Sequence, residues 1–336
     1  MRKLLLLAVF LLAAAGALAG GLFWEERNFV APGPTASETV VMISPGSSTR
    51  IVAGVLAKSG VVSNPILFRV GVLRRGKASA LKAGEYAFPA SVSMADAMAM
   101  LIERKVLQHR ITVAEGLTSD AAVALVDADP ALTGPSTVTP EGSLLPETYL
   151  FERGTTRAAI LVRMHKAQQD LVEDLWSKRK PGLPFNTPDE ALKLASIVEK
   201  ETGVQSERAR VAAVFINRLR AHMRLESDPT IIYGLTKGVP LGHPLRQSEL
   251  ETPNPYSTYQ IDGLPPTPIC NPGKGVIAAV MNPATSDELF FVADGTGGHV
   301  FAKSASEHQR NVAQLRRRER EQNAASSAGS KRDGLH

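Results

Sequence analysis

The sequence has a single cysteine, Cys270, which excludes an intramolecular disulfide and leaves no second thiol for a cysteine-based metal cluster. It also stands far from the N-terminus, so it is not placed as a lipid-carrying first residue of a processed chain. The seven histidines are scattered, with no His-x-x-x-His pair or comparable ligand spacing, and neither a metal nor another cofactor is expected. Excess charge is missing from the body of the chain. Of the formal +5, Arg2 and Lys3 supply two units and the segment from Arg316 onward a net three. A nucleic-acid binder carries its excess on a folded face, so that class is disfavoured. The turn Gly295-Thr-Gly-Gly298 lacks the lysine and following helix of a phosphate loop, which argues against nucleotide binding.

What is present begins with an uncharged run at residues 4–24, preceded by Arg2-Lys3 and closed by Phe23-Trp24. Its length suits a single membrane span with aromatic residues at the outer interface. Ala17-Leu-Ala19 before Gly20 also fits a signal-peptidase site, but the run continues past it and exceeds the usual signal core, so a retained anchor is the expectation. Either way the basic residues stay in the cytoplasm and the chain after Glu25 is exported.

At 336 residues, the chain is expected to fold as α+β in two domains. A cytoplasmic N-terminus (1–3) and the anchor (4–24) are followed by a linker (25–38) containing Ala31-Pro-Gly-Pro-Thr35. A small α/β module (39–109) has strands at 39–43 and 85–88, helices at 49–58 and 93–104, and a loop at 71–77. A larger mixed domain (110–315) opens with a strand and a helix capped near Ser119-Asp120. Further helices follow at 156–178 and 207–223, with a hairpin from 289–293 and 299–302. A helix runs from Ala305 to about Glu321, and the basic tail (316–336) is expected to end in disorder after Asn323.

The most legible helix follows Thr187-Pro-Asp-Glu190, which offers a capping hydroxyl, a proline at the first helical position and a glutamate at the third. Gly203 is its expected stop. Leu192, Ala195, Ser196 and Glu199 share one face, and Glu201 lies about 200° further round, so the two glutamates cannot face one cleft. Both lie near the negative end of the helix dipole, which pushes a carboxyl pKa upward. A glutamate protonated near neutral pH is what an acid catalyst for a sugar acetal needs. By spacing alone, a Glu-Lys-Glu run is more often a solvated helix face. Asn217 and Arg218 flank the apolar stripe of the next helix, and Asp228-Pro229 is read as the cap of a short helix.

In order along the chain stand Glu141-Gly-Ser-Leu-Leu-Pro-Glu-Thr-Tyr149, Ala195-Ser-Ile-Val-Glu-Lys-Glu-Thr202, Phe215-Ile-Asn-Arg-Leu219 and Ser227-Asp-Pro-Thr-Ile-Ile-Tyr-Gly234. They are followed by Asn254-Pro-Tyr-Ser-Thr-Tyr259, Gly263-Leu-Pro-Pro266, Asn271-Pro-Gly273 and His299-Val-Phe-Ala302. Together these resemble the membrane-anchored endolytic murein transglycosylases, the MltG or YceG-like family. The resemblance implies a single-pass inner-membrane protein with a LysM-like module and a periplasmic catalytic domain. It implies cleavage between N-acetylmuramic acid and N-acetylglucosamine within a peptidoglycan strand, closing a 1,6-anhydro ring, in terminating or trimming nascent strands. It assigns the acid to Glu199 and makes Glu147, Asn217, Arg218, Glu226, Asp228, Tyr256 and Tyr259 candidates for the substrate groove, while Tyr149 and Glu147 serve equally well to satisfy buried backbone. Expected partners are glycan strands and peptidoglycan synthases. Family members commonly carry glutamine at Glu226, asparagine at Ser257 and glycine at Thr267. Two other readings stay open: a water-using muramidase that adds Glu201 or Asp228 as second carboxylate, and a catalytically silent glycan-binding scaffold for synthases.

Overall fold

The computed structural model describes residues 2–333, with side chains described through residue 321. The expected disordered tail falls largely outside that range of described side chains. The chain divides into two compact units, one made of Met1–Arg110 with Leu150–Thr155, the other of Ile111–Tyr149 and the chain from Thr156 onward. The fold is mixed α+β with one N-terminal apolar helix long enough to cross a membrane.

In the first unit, helix α1 (Arg2–Val30) leads to strand β1 (Thr39–Ile43), helices α2 (Thr49–Lys58) and α3 (Pro65–Arg74), strand β2 (Gly84–Phe88) and helix α4 (Met94–Glu103). The strands pair antiparallel from Thr39 opposite Phe88 to Ile43 opposite Gly84. Their period-2 pattern buries Val41 and Ile43 and leaves Val40 and Met42 outside. Serine caps start α2 and α4, with Ser48 accepting from the Ile51 N–H and Ser93 from the Asp96 N–H.

No helix is expected from the sequence where α3 stands. Gly71, expected in a loop, is inside this helix because Asn64 caps it, accepting from the Ile66 and Leu67 N–H groups, and Pro65 opens it. The glycine admits α1: a Cβ there would stand 2.3 Å from Phe29 Cε2 and 2.9 Å from Glu25 Oε1. Residues 25–30, assigned to a linker from sequence, therefore continue α1 and are buried at Glu25 and Phe29. Phe29 stacks on Phe68 at 6.2 Å, and burying such a ring stabilises by about 1.5–3 kcal/mol. Arg74 and Arg75 pair with Glu25 at 2.7 and 3.0 Å and both reach Glu26.

Strand β3 (Gln108–Thr112) pairs with β4 (Thr148–Glu152), and α5 (Ser119–Ala128) lies between them in sequence, capped by Thr118 rather than by Ser119. The second unit continues through α6 (Arg157–Ser177), α7 (Pro188–Glu201), α8 (Arg208–Arg220), α9 (Asp228–Thr236), α10 (Gln247–Glu251) and α11 (Lys274–Met281). The antiparallel hairpin β5 (Phe290–Ala293) and β6 (His299–Ala302) and helix α12 (Ala305–Asp333) complete it. Its core is α7, α8 and α11, closed over Leu194, Ile197, Val198, Val211, Phe215 and Ile277. Thr187 and Glu190 form the expected capping box on α7. The helix ends with extended Thr202 as its cap, and Gly203 takes no left-handed φ.

Candidate functional site

The last turn of α7 sends its two glutamates to opposite sides. Glu201 lines a cavity of about 390 Å³ whose walls include Arg218 from α8, Glu226 and Asp228 at the start of α9, Tyr259, and Phe291 from β5. The Ser227 hydroxyl donates to Glu201 Oε1 at 2.5 Å, and burial raises the carboxyl pKa above its ordinary value. Asp228 adds to that rise, whereas the Ser227 bond, His299 and Arg218 oppose it.

Arg218 builds the wall of this cavity. Its Nε donates to Leu289 O at 2.7 Å, and its Nη1 donates to Arg224 O, Leu225 O and Glu226 Oε2 at 3.0–3.1 Å. These bonds tie α8 to the hairpin and to the turn before α9, where Glu226 takes a left-handed φ of 52°. Asp228, expected as a helix cap, is the first residue of α9 and makes a different contact. Its Oδ1 accepts from the Tyr259 hydroxyl at 2.8 Å, and Ser227, the capping residue, makes no side-chain cap bond. Asp228 thus faces the cavity because Tyr259 holds it there.

Glu199 lies outside this cavity, with a side chain only 7% exposed. Its Oε2 accepts the Gly273 N–H at 2.8 Å, and its Oε1 is 3.9 Å from Arg208 Nη2. Arg208 is held more closely by Glu115, at 2.8 Å. Burial raises the Glu199 pKa first, and the Glu115 charge adds to it, against the Gly273 bond, Arg208 and Lys200. Both glutamates therefore have a raised pKa, as expected, and its first cause is desolvation by burial.

A sequence model of the YceG-like family matches residues 41–314. The chain belongs to the YceG-like family. It is similar to the endolytic murein transglycosylase of Bacillus subtilis strain 168, at 31% identity over 329 residues, covering 87% of this chain and 89% of the relative. It also resembles the endolytic murein transglycosylase of Streptococcus pneumoniae strain D39, at 36% identity over 180 residues. That match covers 52% of this chain and 32% of the relative, so the chain spans about a third of the pneumococcal protein's length. The crystal structure of a YceG-like protein from Listeria monocytogenes aligns with 82% of this chain and 98% of its own, with a TM-score of 0.51 at 28% identity.

Within this YceG-like chain the sequence-derived candidates separate into two sets. Arg218, Glu226, Asp228 and Tyr259 share one cavity with Glu201. The others have structural partners elsewhere. Asn217 donates to Ser286 O and Glu288 O at 2.8 and 3.0 Å, Tyr256 bonds Thr267 Oγ1 at 3.1 Å, and Glu147 accepts the Thr148 N–H. Tyr149 spends its hydroxyl on Leu145 O at 2.8 Å, the backbone-satisfying alternative. Sequence reasoning missed Ser227 and Phe291. It also missed the pair in which His299 Nδ1 meets Glu207 Oε2 at 2.7 Å, with the His299 ring edge-on to Phe291 at 5.3 Å. The motif His299-Val-Phe-Ala302 was its only signal.

Proposed function

We propose that this chain is an endolytic lytic transglycosylase that cuts the N-acetylmuramic acid–N-acetylglucosamine bond within peptidoglycan strands. The reading places it in the inner membrane by α1, with its catalytic domain in the periplasm and synthases as neighbours. The first unit would be its LysM-like, glycan-contacting module, and cutting would terminate or trim nascent strands. The observation that carries the reaction is Glu201: a carboxyl of raised pKa opens onto a cavity in which Arg218, Glu226, Asp228 and Tyr259 are held by hydrogen bonds. The Bacillus and pneumococcal relatives, both endolytic murein transglycosylases, support the substrate.

In this reading protonated Glu201 gives its proton to the bridging oxygen as the glycosidic bond breaks, and positive charge gathers at the anomeric carbon. The substrate's acetamido group relieves that charge. The Glu201 carboxylate then takes the proton of the muramic 6-hydroxyl, whose oxygen closes on the anomeric carbon as a 1,6-anhydro ring. The proton returns to Glu201 and no water is consumed. The Ser227 hydrogen bond steadies the carboxylate form between the two steps.

Glu199, the residue the resemblance assigns as acid, is the second candidate, favoured by its own raised pKa. Its backbone partner at Gly273 supports a role in fixing the turn before α11. Mass spectrometry of glycan strands treated with the full-length protein, Glu201→Gln and Glu199→Gln ranks them. Anhydro ends that vanish with Glu201→Gln and persist with Glu199→Gln support this assignment, and the reverse pattern moves the acid to Glu199. Reducing ends would make the protein a hydrolase with Asp228 as second carboxylate. Binding without cleavage by wild type would make it a scaffold.

A further inference from the structure

The Glu201 cavity does not close at the hairpin. His308 and Val312 of α12 line it, and the same two residues line an open trough of about 640 Å³ edged by Arg316, Arg317 and Arg320. Positions 308, 312, 316 and 320 follow at steps of four, which places them on one helical stripe about 18 Å long. The helix is fixed here: the His308 ring stacks on Phe290 at 5.3 Å, and Arg318, on another face, donates to Asp294 O at 2.9 Å. Arg316, Arg317 and Arg320 are exposed, and among the described residues none of them pairs with a carboxylate.

We propose that this arginine row is a recognition track for the carboxylates of the peptide stems borne on muramic acid, so that the protein selects stem-bearing over stripped strands. The inference rests on the reading of the Glu201 cavity as the peptidoglycan site. Uncharged sugars offer nothing to match three guanidinium forks, whereas a stem supplies carboxylates that such forks bind bidentately. A five-residue stem laid extended covers about 17 Å, close to the length of the stripe. A bilayer surface fits this face less well, because an interfacial helix needs large apolar anchors and the trough offers only Val312 and Ala313 beside its polar residues.

The test is equilibrium binding by the full-length protein in detergent, carrying Glu201→Gln to prevent turnover. The ligands are uncrosslinked stem-bearing strands, strands stripped by an amidase, and vesicles containing anionic phosphatidylglycerol. Added R316A/R317A/R320A weakens binding to stem-bearing strands about tenfold and to stripped strands no more than twofold. The corresponding triple lysine variant recovers only part of the affinity, since an ammonium keeps the charge and loses the bidentate fork. Equal loss on both strand types, no loss on either, or loss confined to vesicles overturns the proposal. Anhydro-end formation by wild type is scored separately. If wild type makes no cut but still discriminates between strands, the cleavage reading fails and the track stands.

Discussion

Glu199 and Glu201, two positions apart at the end of α7, are each held by a single neutral donor from opposite sides: the Gly273 N–H at 2.8 Å for one, the Ser227 hydroxyl at 2.5 Å for the other. Glu201 lines the cavity of about 390 Å³, whereas Glu199 packs beside Gly116, which with Lys200 lines a separate cavity of about 610 Å³. That asymmetry makes the two carboxyls separable by experiment.

The first prediction concerns stability. The folded-state pKa of Glu201 is raised above 4.5, so its contribution is fully present below that value and is lost as pH rises through the raised pKa. Glu201→Gln cannot ionise and escapes the loss. The variant melts about 2–4 °C above wild type near pH 8, and the gap closes near pH 4. Thermal unfolding across pH measures this, and a gap independent of pH would refute the assignment of the buried charge.

Removing Ser227 shifts activity with pH. Its hydroxyl favours the ionised form of Glu201, so Ser227→Ala holds the catalytic proton to higher pH. The alkaline limb of the rate profile moves up by about one pH unit.

Asp228 acts with the opposite sign. Its charge raises the Glu201 pKa, so Asp228→Asn moves the same limb down. A transglycosylase keeps its anhydro product in this variant, whereas a hydrolase that uses Asp228 to activate water loses turnover by about a hundredfold or more. Product analysis beside the pH profile separates the two.

Arg218 is a strut. Arg218→Lys cannot reproduce a fork that serves Leu289, Arg224 and Leu225 carbonyls at once. Breaking these bonds destabilises by about 2–4 kcal/mol, which denaturant unfolding reads, with lysine giving little rescue.

Gly71→Ala tests the α1 clamp. The new methyl meets Phe29 and Glu25, and overpacking of this kind costs about 1–3 kcal/mol. Protease cutting between residues 25 and 38 rises in the variant and stays low in wild type.

The parts of this molecule that were legible in its sequence are those governed by local chemistry. Thr187-Pro-Asp-Glu190 announces its helix because a capping box needs nothing beyond four residues. The opposed directions of Glu199 and Glu201 follow from helical spacing alone. Gly71 misled because a glycine reads as a loop unless one knows that a phenylalanine from α1 needs its space. Asp228 misled because a cap is the local use of an aspartate before proline, while the use made of it comes from Tyr259, 31 residues on. Which glutamate faces the cavity depends on how α8, α9 and the hairpin cover α7, and no local pattern records that.

The unbroken course of α1 into the first unit removes a swivel from the molecule. A loose tether lets a domain turn freely about its attachment, but Phe29 against Gly71 and two glutamates gripped by Arg74 and Arg75 fix the apolar helix rotationally to the body that follows it. A twist of that helix about its own axis turns the first unit through the same angle, so inserting two residues between Trp24 and Glu25 re-aims it by about 200°.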